Sequence, residues 1–185
     1  RPMHEMNGDW YPWCGSVNGN TASAYRAAWL RLRALFDGYA MRHVRWVWSP
    51  YIQSVPDNQN NRMEEYFPGD SAVDMIALDG YNWGTSLEGQ NWREFGDLFT
   101  SVRERVARMS RCPVFIGETA CSDQGGDKAA WIQGAFDTLR VQGDYASLVW
   151  FNADKECDLR IHSSEIVLDA FRRGAHGFCM RQDRG

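Results

Sequence analysis

Short runs of apolar residues, each followed by a segment with helical hydrophobic periodicity, constrain this chain more than any other feature. Val44-Arg45-Trp46-Val47-Trp48, Met75-Ile76-Ala77-Leu78-Asp79, Val114-Phe115-Ile116-Gly117 and Ser147-Leu148-Val149-Trp150-Phe151 read as strands. Their near-continuous apolar character fits a sheet covered on both faces. Between them lie helices. Tyr25, Trp29, Leu32 and Phe36 share one face, with Ser23 as the expected cap and Gly38 as the stop. Trp92, Phe95, Phe99, Val102, Val106 and Met109 recur at steps of three and four, behind a capping pair Asn91 and Glu94. A third helix from about Asp127 buries Trp131, Ala135 and Leu139, and a fourth runs from a cap at Ser163 or Ser164 through Phe171. With residues 2–5 counted as a strand there are five, and strand–helix alternation of this kind specifies a parallel α/β sheet.

An open doubly wound sheet and part of a TIM (β/α)₈ barrel both satisfy that pattern. An open nucleotide-binding sheet wants a Gly-rich turn between its first strand and helix, and no G-x-G-x-x-G or Walker motif is present. A barrel places reactive residues at the carboxyl ends of several strands. Here His4-Glu5, Trp48, Asp79-Gly80-Tyr81, Glu118 and Trp150 all follow or end apolar runs. The barrel portion is therefore the expected fold, spanning residues 1–173, with residues 174–185 as a tail.

Composition narrows the partner. The 185 residues carry a net charge of −4 with both signs interspersed, which lacks the basic face that nucleic acid requires. No apolar run approaches membrane-spanning length. Nine Trp, seven Tyr and nine Phe exceed the usual need of a small core, and many sit in polar, Gly-rich stretches. Rings so placed suit a neutral sugar, whose C–H face stacks on an aromatic surface. Cys14, Cys112, Cys121, Cys157 and Cys179 show no C-x-x-C spacing, so a zinc or dithiol motif has no support. A Cys121–Cys157 disulfide is the one pairing that neighbouring strand ends suggest.

Two carboxylates carry the chemistry. Glu5 lies in His4-Glu5-Met6-Asn7-Gly8-Asp9-Trp10 and Glu118 in Ile116-Gly117-Glu118-Thr119-Ala120, each expected at a strand end beside small or polar neighbours. Glycoside hydrolysis needs one carboxyl to protonate the leaving oxygen and another to meet the oxocarbenium-like centre; a separation of roughly 5–5.5 Å lets the second attack directly and retain configuration. Either glutamate alone reads equally well as a solvated charge on a loop.

The segment His-Glu-Met-Asn-Gly-Asp-Trp-Tyr-Pro-Trp at residues 4–13 resembles the acid/base motif of glycoside hydrolase family 26, the β-mannanase family among the retaining (β/α)₈ enzymes. Residues 44–50, Tyr66-Phe67-Pro68-Gly69-Asp70, Leu78-Asp79-Gly80-Tyr81-Asn82-Trp83-Gly84, Ile116-Gly117-Glu118-Thr119 and Val149-Trp150-Phe151-Asn152 continue the resemblance in order, to about Phe171. It implies Glu5 as acid/base after the fourth barrel strand and Glu118 as nucleophile after the seventh. It also implies that His4, Trp10, Tyr81 and Trp150 line the subsite at the scissile bond. Tyr81 would donate its hydroxyl to Glu118, and Trp10 and Trp150 would form sugar platforms. Trp83 reads either as a platform or as packing, and Asp79 as an orienting residue. Trp13 and Trp48 read equally as packing.

The resemblance implies no metal or organic cofactor. The acidic run of residues 154–158 reads as a solvated loop rather than a cation site, because a full oxygen shell is not evident. The implied substrate is β-1,4-mannan or a related mannan, with mixed-linkage β-glucan and β-1,3-xylan as alternatives. A non-catalytic carbohydrate-binding remnant and a plain α/β scaffold are the competing classes. A secreted, extracellular enzyme is expected, its leader and three further βα units lying upstream of Arg1, and open barrel edges are expected to favour self-association.

Overall fold

The computed structural model describes residues 1–182. Four strands, β1 (Val47–Trp48), β2 (Met75–Asn82), β3 (Val114–Cys121) and β4 (Tyr145–Trp150), form one parallel sheet in the order β1-β2-β3-β4. Helices α1 (Ala22–Gly38), α2 (Phe95–Met109), α3 (Lys128–Gln142) and α4 (Glu165–Gln182) alternate with them, as in successive units of a (β/α)₈ barrel. The sheet order follows the chain order without reversal, so there is no switch point of the doubly wound kind.

Contacts group the chain into two compact units, Arg1–Asp79 with Arg103–Gly117, and Gly80–Val102 with Glu118–Gly185. In the first, β1 pairs with β2 through Val47 opposite Met75 and Trp48 opposite Ile76. Its core gathers Trp29, Trp48, Tyr66, Met63, Ile76 and Ile116, all essentially without solvent contact. Thr21 caps α1 by accepting from the Ala24 N–H. The sequence favoured Ser23, but Ser23 lies inside the helix. Buried Trp29 fixes α1 on this unit by donating its indole N–H to Ala72 O at 3.0 Å. Trp48, left open by the sequence, is core, edge-on to Phe67 at 5.0 Å.

In the second unit Phe95, Phe99, Trp131, Ile132, Ala135 and Leu139 form the core. Asp127 caps α3, and Gly143 closes it in the left-handed region at φ 68°, returning its N–H to Leu139 O. Ser164, one of the two expected candidates, caps α4 through the Val167 N–H. That helix continues to Gln182, so residues 174–182 of the expected tail are helical and residues 183–185 lie outside the described residues. At Gly174 the helix comes close enough to α3 that a Cβ would overlap the Phe136 ring.

Three further expectations fail. Residues 2–5 are turns, with Met3 and Glu5 at φ 51° and 54°, an angle no strand tolerates; the described sheet therefore has four strands. Residues 44–46 do not join β1, because the Trp46 N–H is taken by the Asp74 carboxylate instead of a ladder carbonyl. All five cysteines are free thiols, which excludes the Cys121–Cys157 bond. Buried Cys121 donates to Ser122 O and accepts from Asn82 Nδ2, and burial pushes its thiol pKa up. No helix among the described residues is long and apolar enough to cross a membrane.

Candidate active site

In the first unit the candidate residues are His4, Glu5, Trp10 and Asp79. Glu5 is 5% exposed, and its backbone is held by its N–H donating to Ser49 O and its carbonyl accepting from the Gly8 N–H at 3.0 Å. The tight turn that follows brings Trp10 back over it. Trp10 donates its indole N–H to Glu5 Oε2 at 2.7 Å, a donor that orients the carboxyl and lends it a polar partner in a desolvated place. The Trp10 ring is 43% exposed and meets Tyr51 edge-on at 5.1 Å, leaving an apolar surface beside the carboxyl. Gly8 is required there, since a Cβ would come within 2.5 Å of the Trp10 ring. Buried Asn7 joins this turn to the chain after β1, exchanging hydrogen bonds with the Tyr51 backbone at 2.9 Å each way.

His4 sits in an aromatic group that the sequence did not reveal. Its Nε2 lies 3.3 Å from the Tyr11 hydroxyl, and its carbonyl accepts from the Trp13 indole at 2.8 Å. Tyr11 and Trp13 stack at 4.5 Å. Trp13, left open between platform and packing, thus fixes the backbone of the residue before Glu5. Asp79 is fully buried, and its Oδ2 accepts from Arg1 Nη2 at 2.6 Å and from Ser49 Oγ at 2.8 Å. Arg1 and Ser49 were missed because their partners lie far along the chain, Asp79 being 78 and 30 positions away. The underlying packing is tight: a Cβ at Gly117 would lie 2.6 Å from Asp79 Oδ1 and 2.7 Å from Ala77 Cβ.

In the second unit Glu118 is partly exposed and lies within β3, three residues before the strand ends; it does not end the strand, as the sequence had suggested. Tyr81, on β2, donates its hydroxyl to Glu118 Oε2 at 2.6 Å. A phenol at that distance fixes the rotamer of the carboxyl and points one of its oxygens. Trp83 stacks on the Tyr81 ring at 4.8 Å, and Phe151 meets it edge-on at 5.8 Å. Trp150 donates its indole N–H to Leu159 O at 2.7 Å and touches Trp131 and Phe171 edge-on. Its ring is only partly exposed, so it joins the core between α3 and α4 while keeping one surface in solvent.

The acidic run of residues 154–158 is neutralised from within the chain. Arg160 binds Asp158 in a two-pronged contact at 2.7 and 2.9 Å and reaches Asp154 at 3.3 Å. These hydrogen bonds hold the Asp158 carboxyl down at about 2. Among the described residues no group of three or more His, Cys, Asp or Glu side chains is arranged to hold a metal ion.

Comparison with known proteins bears on both groups. Residues 1–139 match the family model described as Glycosyl hydrolase family 26. A relative named Endoglucanase H, from Acetivibrio thermocellus, is 37% identical over 93% of this chain, which spans 19% of that protein. Mannan endo-1,4-beta-mannosidase A and B of Caldalkalibacillus mannanilyticus is 35% identical over 44% of the chain and 16% of its own length. The chain thus spans less than a quarter of these relatives. Among solved structures, an endo-beta-1,4-mannanase double mutant from Cellulomonas fimi superposes with a TM-score of 0.66 at 18% identity, over 95% of this chain and 40% of that one. The catalytic domain of a mannanase from Bacillus sp. JAMB-750 gives the same score and identity, over 95% and 49%. At such identities the likeness shows the fold, part of a (β/α)₈ barrel.

Proposed function

This chain belongs to glycosyl hydrolase family 26, and from that premise we propose that it hydrolyses β-1,4-mannan-type polysaccharide by double displacement. Glu118 is the nucleophile and Glu5 the acid/base. The observation that carries the reading is the 2.6 Å hydrogen bond from Tyr81 to Glu118, because a nucleophilic carboxylate must be held in one orientation while a sugar approaches. Glu5, buried under Trp10, is the acid that opens the cycle. It gives its proton to the glycosidic oxygen as Glu118 forms an ester with the anomeric carbon. Glu5, left as a carboxylate by that step, then takes the proton of the water that breaks the ester.

His4 and Asp79 act as orienting groups in this reading. Trp10 and Trp150 supply stacking surfaces, and Trp83 backs Tyr81. The substrate is a polymer too large to cross a membrane intact, which places the enzyme outside the cell; recovery of the native protein from culture medium tests that.

Reducing-sugar release from mannan, lichenan and β-1,3-xylan tests the activity. Glu5→Ala and Glu118→Ala are each expected to lower turnover by roughly 10³-fold or more while binding persists. Proton NMR of the first product anomer reports the stereochemistry, and an inverted anomer excludes Glu118 as nucleophile. Turnover on lichenan exceeding that on mannan would establish a second reading, a mixed-linkage β-glucanase. That reading is favoured by the Endoglucanase H relative, whose match extends over 93% of the chain against 44% for the mannosidase.

A further inference from the structure

Lys128 is the first residue of α3, and its side chain is 2% exposed. The helix itself gives no reason for it to be there. Lysine is seldom fully buried, and a cation in the first helical turn opposes the helix dipole. Its environment supplies the reason. The ammonium has three protons, and three acceptors surround it: Asp123 Oδ2 at 3.2 Å, Asp158 O at 3.1 Å and Ser163 Oγ at 3.4 Å. Ser163 Oγ in turn donates to Asp123 Oδ1 at 3.1 Å, closing a ring. Asp123 belongs to the loop between β3 and α3; Asp158 and Ser163 belong to the loop between β4 and α4. The ammonium therefore ties together two loops that a strand and a helix separate in sequence.

We propose that Lys128 is a positioning residue: by clamping these two loops it sets the Trp150 ring where a sugar unit stacks. The link is short. Asp158 is followed by Leu159, which is fully buried and whose carbonyl accepts the Trp150 indole N–H at 2.7 Å. The Leu159 N–H returns to Ala153 O at 3.0 Å, so the loop closes on itself around that carbonyl. Releasing the Asp158 carbonyl from Lys128 frees the adjoining peptide that orients the indole. The sugar-stacking part rests on the reading of Trp150 given above, whereas the clamp does not.

The test uses the whole chain with Lys128→Met, which keeps the length of the side chain and removes the charge. Asp123→Asn is the second variant, because Asp123 is 41% exposed in its side chain and its amide leaves the fold intact should the Met variant not fold. Trp indole signals in ¹H–¹⁵N spectra, with Trp150 identified from Trp150→Phe, report the ring. Isothermal titration with mannopentaose reports binding. Both variants are expected to displace the Trp150 indole signal, to leave the other indoles near their wild-type positions and to weaken mannopentaose binding by roughly threefold or more. Lys128→Arg restores most of both. An unmoved Trp150 signal in a folded variant overturns the clamp. A displaced signal with unchanged affinity overturns its role in binding. Absence of binding by the wild-type chain, or wild-type affinity in Trp150→Ala, overturns the carbohydrate reading of Trp150 instead, and the indole signal still decides the clamp.

Discussion

Tyr81 and Glu118 sit 37 positions apart, yet their hydrogen bond is the best-defined polar contact to either candidate glutamate that the sequence foresaw. Tyr81→Phe removes the hydroxyl and little else. A bond to a charged group is worth about 1.5–3 kcal/mol, so kcat is expected to fall by roughly 10- to 100-fold with KM little changed; steady-state kinetics on mannan check it, and unchanged kcat refutes the role. Legibility at this scale followed residue chemistry and near neighbours. Glu5, Trp10, Asp79, Tyr81 and Glu118 stand in dense patterned stretches, whereas Arg1, Ser49 and Lys128 gain their meaning from partners far along the chain. Nothing in the local sequence sets Lys128 apart from a surface lysine in the first turn of a helix. Gly117 belongs with them. Gly117→Ala places a methyl against Asp79 and Ala77, and such overpacking costs about 1–3 kcal/mol. Chemical denaturation should show a lower midpoint, and an unaltered midpoint would mean that the contact relaxes freely.

Periodicity located the four α-helices of the described residues, because an amphipathic stripe such as Phe95, Phe99, Val102 and Val106 repeats over several turns. The ends were harder to read. Thr21 outcompeted Ser23 for the α1 cap, and β3 continued four residues past its apolar run into polar Glu118 and Thr119. Strand length there is set by pairing with neighbours, as when the Phe151 N–H reaches Thr119 O, and that information is absent from the strand itself. Turns defeated the sequence most clearly: residues 2–5 look extended but are bent by backbone contacts to Ser49 and Gly8. The loop after β4 has a pH dependence of its own. Arg160 holds Asp158 down at about 2, below its ordinary value of 3.8. A depressed carboxyl stabilises the folded loop above the ordinary value and loses that contribution as pH falls through the folded one. The Trp150 indole signal should therefore hold steady down to about pH 4 and move between about pH 4 and 2, while Asp158→Asn should show the moved signal throughout; a wild-type transition near neutrality would contradict this.

Family membership and the barrel-type alternation were both readable from the sequence, since they rest on ordered motifs and on strand–helix rhythm. Substrate choice was not, because mannan and mixed-linkage glucan differ at subsites shaped by side-chain placement. The sheet has β1 and β4 as its outer strands, and Val149 on β4 is 49% exposed. Outer strands with apolar side chains favour pairing with another chain, so this 185-residue polypeptide should elute from size exclusion with a concentration-dependent increase in apparent mass. Elution as a monomer at every concentration would refute that. Glu5 adopts a left-handed backbone, at φ 54°, in a place where it is almost wholly buried. Such a conformation costs a non-glycine residue about 1–3 kcal/mol, and asparagine tolerates it better than glutamate. Glu5→Asn should therefore melt at a higher temperature than the natural chain while being catalytically dead. The acid would then be a residue whose backbone works against the fold, with robustness surrendered for turnover.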